Sequence, residues 1–247
     1  MLLYKSHSEI ESICKKYLIY SYTINDDGSV DVIGDVRLGS LKLTELPLKF
    51  NKVSGNFYCH SNKLTSLEGC PEWIGGNFYG EYNKLTSLEG GPKIVEMSYD
   101  CMNNNLTTLK GCPEKVGSAF HAGSNKLTEI EFCPKECRAI DLSNNYNLYS
   151  IKKFPEKCMR VDFSWTELKS LDCLKNVEGL EEVYVANSPL VTIFGARIKD
   201  FSMIKHFISF KVVDGDTINL KRFKYFQSIY TEILLREVSL KAQYKLK

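Results

Sequence analysis

The stretch Ser61-Asn62-Lys63-Leu64-Thr65-Ser66-Leu67-Glu68-Gly69-Cys70-Pro71 decides how this chain is read. It returns almost unchanged as Tyr82-Asn83-Lys84-Leu85-Thr86-Ser87-Leu88-Glu89-Gly90-Gly91-Pro92. Looser copies run from Asn103 to Pro113 and from Ser124 to Pro134. Each copy follows the last by 21 residues, and Pro71, Pro92, Pro113, Pro134 and Pro155 keep that spacing. A fixed period of this size marks a solenoid. One such unit cannot bury its own apolar face, so it folds only against its neighbours.

Working outward from these copies, each unit aligns on an apolar-x-apolar strand, an Asn-type position and two further apolar residues. The strand pairs begin with Val36/Leu38, Phe57/Cys59 and Phe78/Gly80 and end with Val183/Val185. The following pairs run from Leu43/Leu46 to Leu190/Ile193, which makes eight repeats of leucine-rich content. Period-2 alternation sends one set of strand side chains inward, and here that set is the apolar one. Asn62, Asn83, Asn104, Asn125 and Asn145 hold the turn position, drifting to Thr166 and Ser188 late in the chain. A primary amide there donates and accepts at once, so a ladder of them is expected to satisfy turn backbone that water cannot reach. Asn145-Tyr146-Asn147-Leu148 carries one extra residue, so a local distortion is expected near Asn144 to Asn147. The backs of the repeats, such as Pro71-Glu72-Trp73-Ile74-Gly75-Gly76, are too short and too rich in Gly and Pro for a full helix; extended or 3₁₀ turns are expected. A short helical turn is expected within Cys173 to Gly179.

The fold class expected is an α/β solenoid: a leucine-rich-repeat arc with a parallel concave sheet over residues 35–195. Residues 1–34 are expected to cap its first coil. Ser8 to Tyr17 reads as a short helix with Ser8 as N-cap. Tyr20–Ile24 and Ser29–Ile33, around Asn25-Asp26-Asp27-Gly28, read as a hairpin. Residues 196–247 are expected to form a helical C-terminal cap, with one helix from Ala196 to Phe207, a turn at Val213 to Thr217 and a second helix from Asn219 to about Lys245.

Composition is that of an ordinary soluble chain, 43% hydrophobic and 25% charged over 247 residues. No apolar run approaches the roughly 18 residues of a membrane span, and the start lacks the pattern of a secretory signal, so a cytoplasmic location is expected. Nine cysteines trade with Gly and Ala at repeat positions, as small buried apolar groups do, and reduced thiols are expected. Cys133, Cys137 and Cys158 lack a His or a second close Cys pair that would complete a metal site; no metal or other cofactor is expected. His7, His60, His121 and His206 carry no nucleophile at a motif spacing, and no phosphate loop is present, so no catalytic residue is assigned. From Phe194 to Lys247 there are eleven Lys/Arg against five Asp/Glu, which leaves the remainder of the chain at −4 within an overall charge of +2.

The outward strand column reads Arg37, Tyr58, Tyr79, Asp100, His121, Asp141, Asp162 and Tyr184. Two residues further on stand Gly39, His60, Glu81, Met102, Gly123, Ser143, Ser164 and Ala186. These columns vary while the inward ones do not. Tyrosine supplies contact area at small entropic cost, and carboxylates beside it favour a partner with a basic or mixed surface. The candidate protein-binding residues are therefore Arg37, Tyr58, His60, Tyr79, Glu81, Asp100, Met102, His121, Asp141, Asp162 and Tyr184.

The repeat Asn62-Lys63-Leu64-Thr65-Ser66-Leu67-Glu68-Gly69-Cys70-Pro71, with Gly75-Gly76-Asn77-Phe78-Tyr79 leading into the next strand, resembles the leucine-rich-repeat proteins of tailed bacteriophages and some bacteria. The resemblance covers about residues 20 to 193. More distantly the solenoid is similar to short-repeat effectors that bacteria inject into host cells, some of which end in a ubiquitin-ligase domain. The roughly 50 residues after Ile193 are too few for that domain, so the activity is not carried over. The resemblance implies a protein working inside an infected bacterium that binds and neutralises a host or defence protein. Two alternatives stand beside it: a nucleic-acid-associated protein using the basic C-terminal segment, although a nucleic-acid partner is not favoured, and an effector or toxin of unrecognised activity.

Overall fold

The computed structural model describes residues 5–174 and 176–189, and beyond them residues 192–193, 196–197, 213–214, 217–219 and 222. The first element is a helix, His7–Lys16. Its cap is Ser6, two residues before the position expected. Ser6 Oγ accepts the Glu9 amide, and the Glu9 carboxylate accepts the Ser6 amide in return at 2.7 Å, closing a capping box. Ile10 and Cys14, four apart, share the buried face. Tyr22–Ile24 and Val30–Val32 then pair antiparallel around the Asn25–Gly28 turn, as the alternation and the Asp27-Gly28 step predict.

The chain beyond is a β-solenoid with parallel sheets and few helices. Eight strands, at Val36–Arg37, Phe57–Tyr58, Phe78–Tyr79, Tyr99–Asp100, Ala119–His121, Ala139–Asp141, Arg160–Asp162 and Glu182–Tyr184, form one long parallel sheet. Its register follows the repeat: Arg37 lies opposite Tyr58, Tyr58 opposite Tyr79, and Tyr79 opposite Asp100. The inward residues Phe57, Phe78, Tyr99 and Phe120 are fully buried and stack ring on ring, with centroids 6.2, 4.4 and 5.4 Å apart. Each coil turns after its strand through a left-handed residue; Ser61, Tyr82, Asn103 and Ser124 have φ of 53 to 56°. The next residue is the ladder asparagine. Asn83 Oδ1 accepts the Leu64 amide at 3.0 Å, while its Nδ2 donates to the carbonyls of Cys59 and Gly80. Asn104, Asn125 and Asn145 repeat the pattern one coil along each time. Where the amide gives way, the Thr166 and Ser188 hydroxyls donate to the Phe163 carbonyl instead.

The backs of the early coils are extended, and they assemble into a second sheet. Val30–Val32, Phe50–Val53, Trp73–Ile74, Ile94–Val95 and Lys115–Val116 lie side by side in parallel, and single bridges carry the pairing on through Glu136, Lys157 and Glu178. Val53, Ile74, Val95 and Val116 point inward from it, so the core lies between two β walls. The front passes to the back through a turn whose glycine is left-handed, as at Gly111 (φ 85°), where a Cβ would overlap the Glu89 and Leu88 backbone. The extra residue after Asn145 is absorbed in a turn closed by the Leu148 amide on the Asn145 carbonyl, which leaves Tyr146 exposed. A 3₁₀ turn spans Asp172–Leu174, starting one residue before the expected stretch.

The C-terminal part departs from the helical cap expected. Ala196–Arg197 is a strand, paired antiparallel with Thr192–Ile193, where a helix was expected to begin. Val213–Asp214 and Thr217–Asn219 pair as a hairpin, and Thr217–Asn219 also runs antiparallel to Glu182–Tyr184, extending the long sheet past its last parallel strand. Strand pairing takes up backbone groups that helical propensity alone would have kept local. Asn219, where the second helix was expected to begin, instead ends the strand Thr217–Asn219; the rest of the two expected helices, over 198–207 and 220–245, falls outside the described residues apart from Arg222, which is helical. Among the described residues, no helix is long and apolar enough to cross a membrane.

Candidate functional site

The outward face of the long sheet brings the candidate residues into one row, because parallel register places repeat-equivalent side chains beside each other. Its first end is aromatic. The Tyr58 and Tyr79 rings stack with centroids 4.8 Å apart and planes 8° apart. The Arg37 guanidinium lies 4.9 Å from the Tyr58 ring centroid and is held from the side by the Asp35 carboxylate at 2.7 Å. His60 meets Tyr58 edge-on at 6.3 Å. Its imidazole lies over Gly39, where a Cβ would come within 2.5 Å of Nε2, so the glycine makes room for the ring. Asp35 was not singled out in the sequence. The signal was present in its spacing from Asn56 and Asn77: these three and Ser98 form a second ladder, in which each side-chain oxygen accepts the backbone amide of the next coil.

The middle of the row is acidic, and its carboxylates differ in their ties. Asp100, Asp141 and Asp162 each accept the backbone amide two residues on, at 3.0, 2.9 and 2.8 Å, from Met102, Ser143 and Ser164. These aspartates therefore close the strand ends as well as charging the surface. Glu81 makes no such bond. Its Oε2 is shut off from solvent with no hydrogen-bond partner. Burial pushes the Glu81 carboxyl above the usual carboxylate range and the nearby Asp100 adds to it, against the pull of a hydrogen bond from its own backbone amide and a smaller one from His60. Asp100 is also pushed up, chiefly by burial. Burial would raise Asp141 too, but His121 and Ser143 more than offset it, and its pKa falls. His121 is raised by the Asp141 carboxylate, which lies 3.9 Å away, with Asp100 on its other side contributing. Tyr79 is raised first by burial and then by Tyr58 and the neighbouring carboxylates.

At the far end, Tyr184 lies opposite Asp162, but its hydroxyl donates to Glu182, whose carboxylate also holds Arg160 at 2.7 Å. Of the eleven candidate residues, Arg37, Tyr58, His60, Tyr79, Glu81 and Asp100 thus form one contiguous patch, with Met102 at its rim. His121, Asp141 and Asp162 continue it as a charged strip, and Tyr184 ends the row beside Asp162 with its hydroxyl tied to Glu182. Among the described residues, no group of three or more His, Cys, Asp or Glu side chains is placed to hold a metal ion.

No family model and no curated protein matches this chain.

Proposed function

We propose that this chain is a non-enzymatic binding protein of the leucine-rich-repeat kind, and that it engages one protein partner through the outward face of the long sheet. The observation that carries the reading is the Arg37–Tyr58–Tyr79 stack running into Glu81, whose buried Oε2 has no hydrogen-bond partner. Stacked, pre-ordered rings give up little entropy when a partner covers them. A buried carboxylate oxygen without a hydrogen bond, as Glu81 Oε2 is, gains most from a donor brought by that partner. The face is acidic past Tyr79, so a partner with a basic or mixed surface fits it. The chemistry of the face does not favour an enzyme. His60 Nδ1 lies 3.3 Å from Ser61 Oγ, but these are sequence neighbours, and among the described residues no carboxylate stands within ion-pair reach to orient the ring.

The resemblance of the repeats to phage-borne proteins narrows the partner to a bacterial host or defence protein, met in the bacterial cytoplasm and neutralised by binding. The test is a comparative capture from bacterial lysate with the wild-type chain and the Tyr58→Ala/Tyr79→Ala variant, followed by affinity measurement on the captured protein. The variant is expected to stay folded and to bind about a hundredfold more weakly, the loss of roughly one aromatic hot spot. Equal binding by both would reject the face. Binding lost instead on deletion of residues 219–247, with steep salt dependence and a nucleic-acid ligand, would favour the basic C-terminal segment.

A further inference from the structure

Cys137 and Cys158 stand on neighbouring coils, 21 residues apart, outside the face described above. They directly follow Glu136 and Lys157, which pair as a parallel bridge, and the Cys137 amide donates to the Lys157 carbonyl at 3.2 Å. Side-by-side parallel strands lie about 4.8 Å apart, within the roughly 4.4–6.8 Å between α-carbons that a disulfide spans. The two thiols line one groove, and the Cys158 thiol lies 3.2 Å from the Arg160 carbonyl. They line a surface groove of about 320 Å³, in which Lys115, Arg138 and Lys157 outnumber the single carboxylate of Glu136, Lys115 being paired with Glu96 at 2.7 Å. The groove is far larger than the roughly 10–15 Å³ that a single water needs on that measure, so a small oxidant fits in it.

We propose that Cys137 and Cys158 are a peroxide-sensitive dithiol that closes to a disulfide between two coils of the back wall. Cys158 supplies the thiolate. Of the nine cysteines, it alone is held below its ordinary pKa, first by the hydrogen bond from Cys137 and against its burial, while burial pushes Cys112 to about 12 and Cys133 to about 11. The Cys158 thiolate attacks one oxygen of hydrogen peroxide; the O–O bond breaks, hydroxide leaves, and Cys158 becomes a sulfenic acid. The Cys137 sulfur then attacks the Cys158 sulfur and expels the hydroxyl. The hydroxide from the O–O bond takes up the proton that Cys158 lost on ionising, and the hydroxide expelled from sulfur takes up the Cys137 proton, so two water molecules form. Two thiols have lost two electrons, and one peroxide has gained them. Cys137 is 5% exposed and Cys158 fully buried, so reaction waits on local opening of the back wall and is slower than at a free surface thiol.

The test treats the native full-length chain with hydrogen peroxide, alkylates the remaining thiols in denaturant and maps the peptides by mass spectrometry. The expected first product is a Cys137–Cys158 crosslink, with the other seven cysteines still alkylated and the crosslink reversed by dithiothreitol. A sulfenic-acid probe is expected to label Cys158 in the Cys137→Ser variant and to leave Cys137 unlabelled in the Cys158→Ser variant. The wild-type map decides the proposal even if a serine variant fails to fold. A first crosslink at Cys112–Cys133 or Cys133–Cys137, or oxidation of the more exposed Cys112 and Cys173 with the pair untouched, overturns it.

Discussion

Replacing Asn104 by alanine tests the physical basis of the solenoid. Asn104 is 8% exposed. Its Oδ1 accepts the Leu85 amide at 3.0 Å, and its Nδ2 donates to the carbonyls of Gly80, Cys101 and Met102 at 3.1 to 3.2 Å. The carbonyls are not equally dependent on it. Gly80 also receives Asn83 Nδ2, and Cys101 also receives Asn125 Nδ2, each at 3.1 or 3.2 Å. The Leu85 amide has no such reserve in the ladder, and Leu85 is fully buried. Truncation therefore leaves mainly one orphaned donor, costing about 1–3 kcal/mol, with smaller losses at the shared carbonyls. In a chain of this size that lowers the unfolding midpoint by roughly 2–4 °C per kcal/mol. Thermal and urea unfolding of Asn104→Ala against wild type reads the shift. Asn104→Asp sharpens the test. It keeps the acceptor for Leu85 but aims a carboxylate at three carbonyl oxygens, so its pKa in the fold rises and the variant regains stability as pH falls through that raised value. A midpoint within about 1 °C of wild type for Asn104→Ala, or an Asn104→Asp variant that is weakest in acid, would refute the ladder as an energetic element.

Two further outcomes follow from single side chains. Tyr99 is fully buried with no partner for its hydroxyl, so Tyr99→Phe is expected to leave stability unchanged or raise it by about 1 kcal/mol in urea unfolding; a loss of that size would reveal a hidden hydrogen bond. For the His121–Asp141 pair, the raised His121 contributes stability present at lower pH and lost as pH rises through its folded-state pKa. The lowered Asp141 contributes stability present above the usual carboxylate pKa and lost as pH falls through its depressed one. Asp141→Asn should therefore lower the pKa of His121, read by NMR titration; an unmoved titration curve would show that the pair is not coupled.

Much of the architecture was legible in the chain because it is periodic. A 21-residue spacing of Asn, Leu and Pro specifies strand, turn and inward face locally and then repeats them, so the long sheet, its register and the asparagine ladder were all readable. The outward columns were readable for the same reason, and the parallel register that the period implies sets Tyr58 beside Tyr79, where their rings stack. The second sheet was not, because Gly- and Pro-rich backs such as Pro71-Glu72-Trp73-Ile74-Gly75-Gly76 fit extended or 3₁₀ turns equally well and show no apolar alternation. They become a sheet only when the coils above and below supply partners. Ser6 was missed as a cap because Ser8 stands closer to the apolar run, and only the reciprocal Ser6–Glu9 bonds separate the two.

What the sequence determined by itself was the coil: its length, its inward residues and the amides that close it, since each depends on neighbours at fixed spacing. The tertiary structure alone decided which surface groups are free. Asp100, Asp141 and Asp162 look alike in the sequence and each closes a strand end through a backbone amide, whereas Glu81 keeps a buried oxygen without a partner. It also decided that Ala196–Arg197 is a strand. Both outcomes depend on which donor lies opposite in space, and a hydrogen bond between distant parts of a chain leaves no period in its sequence.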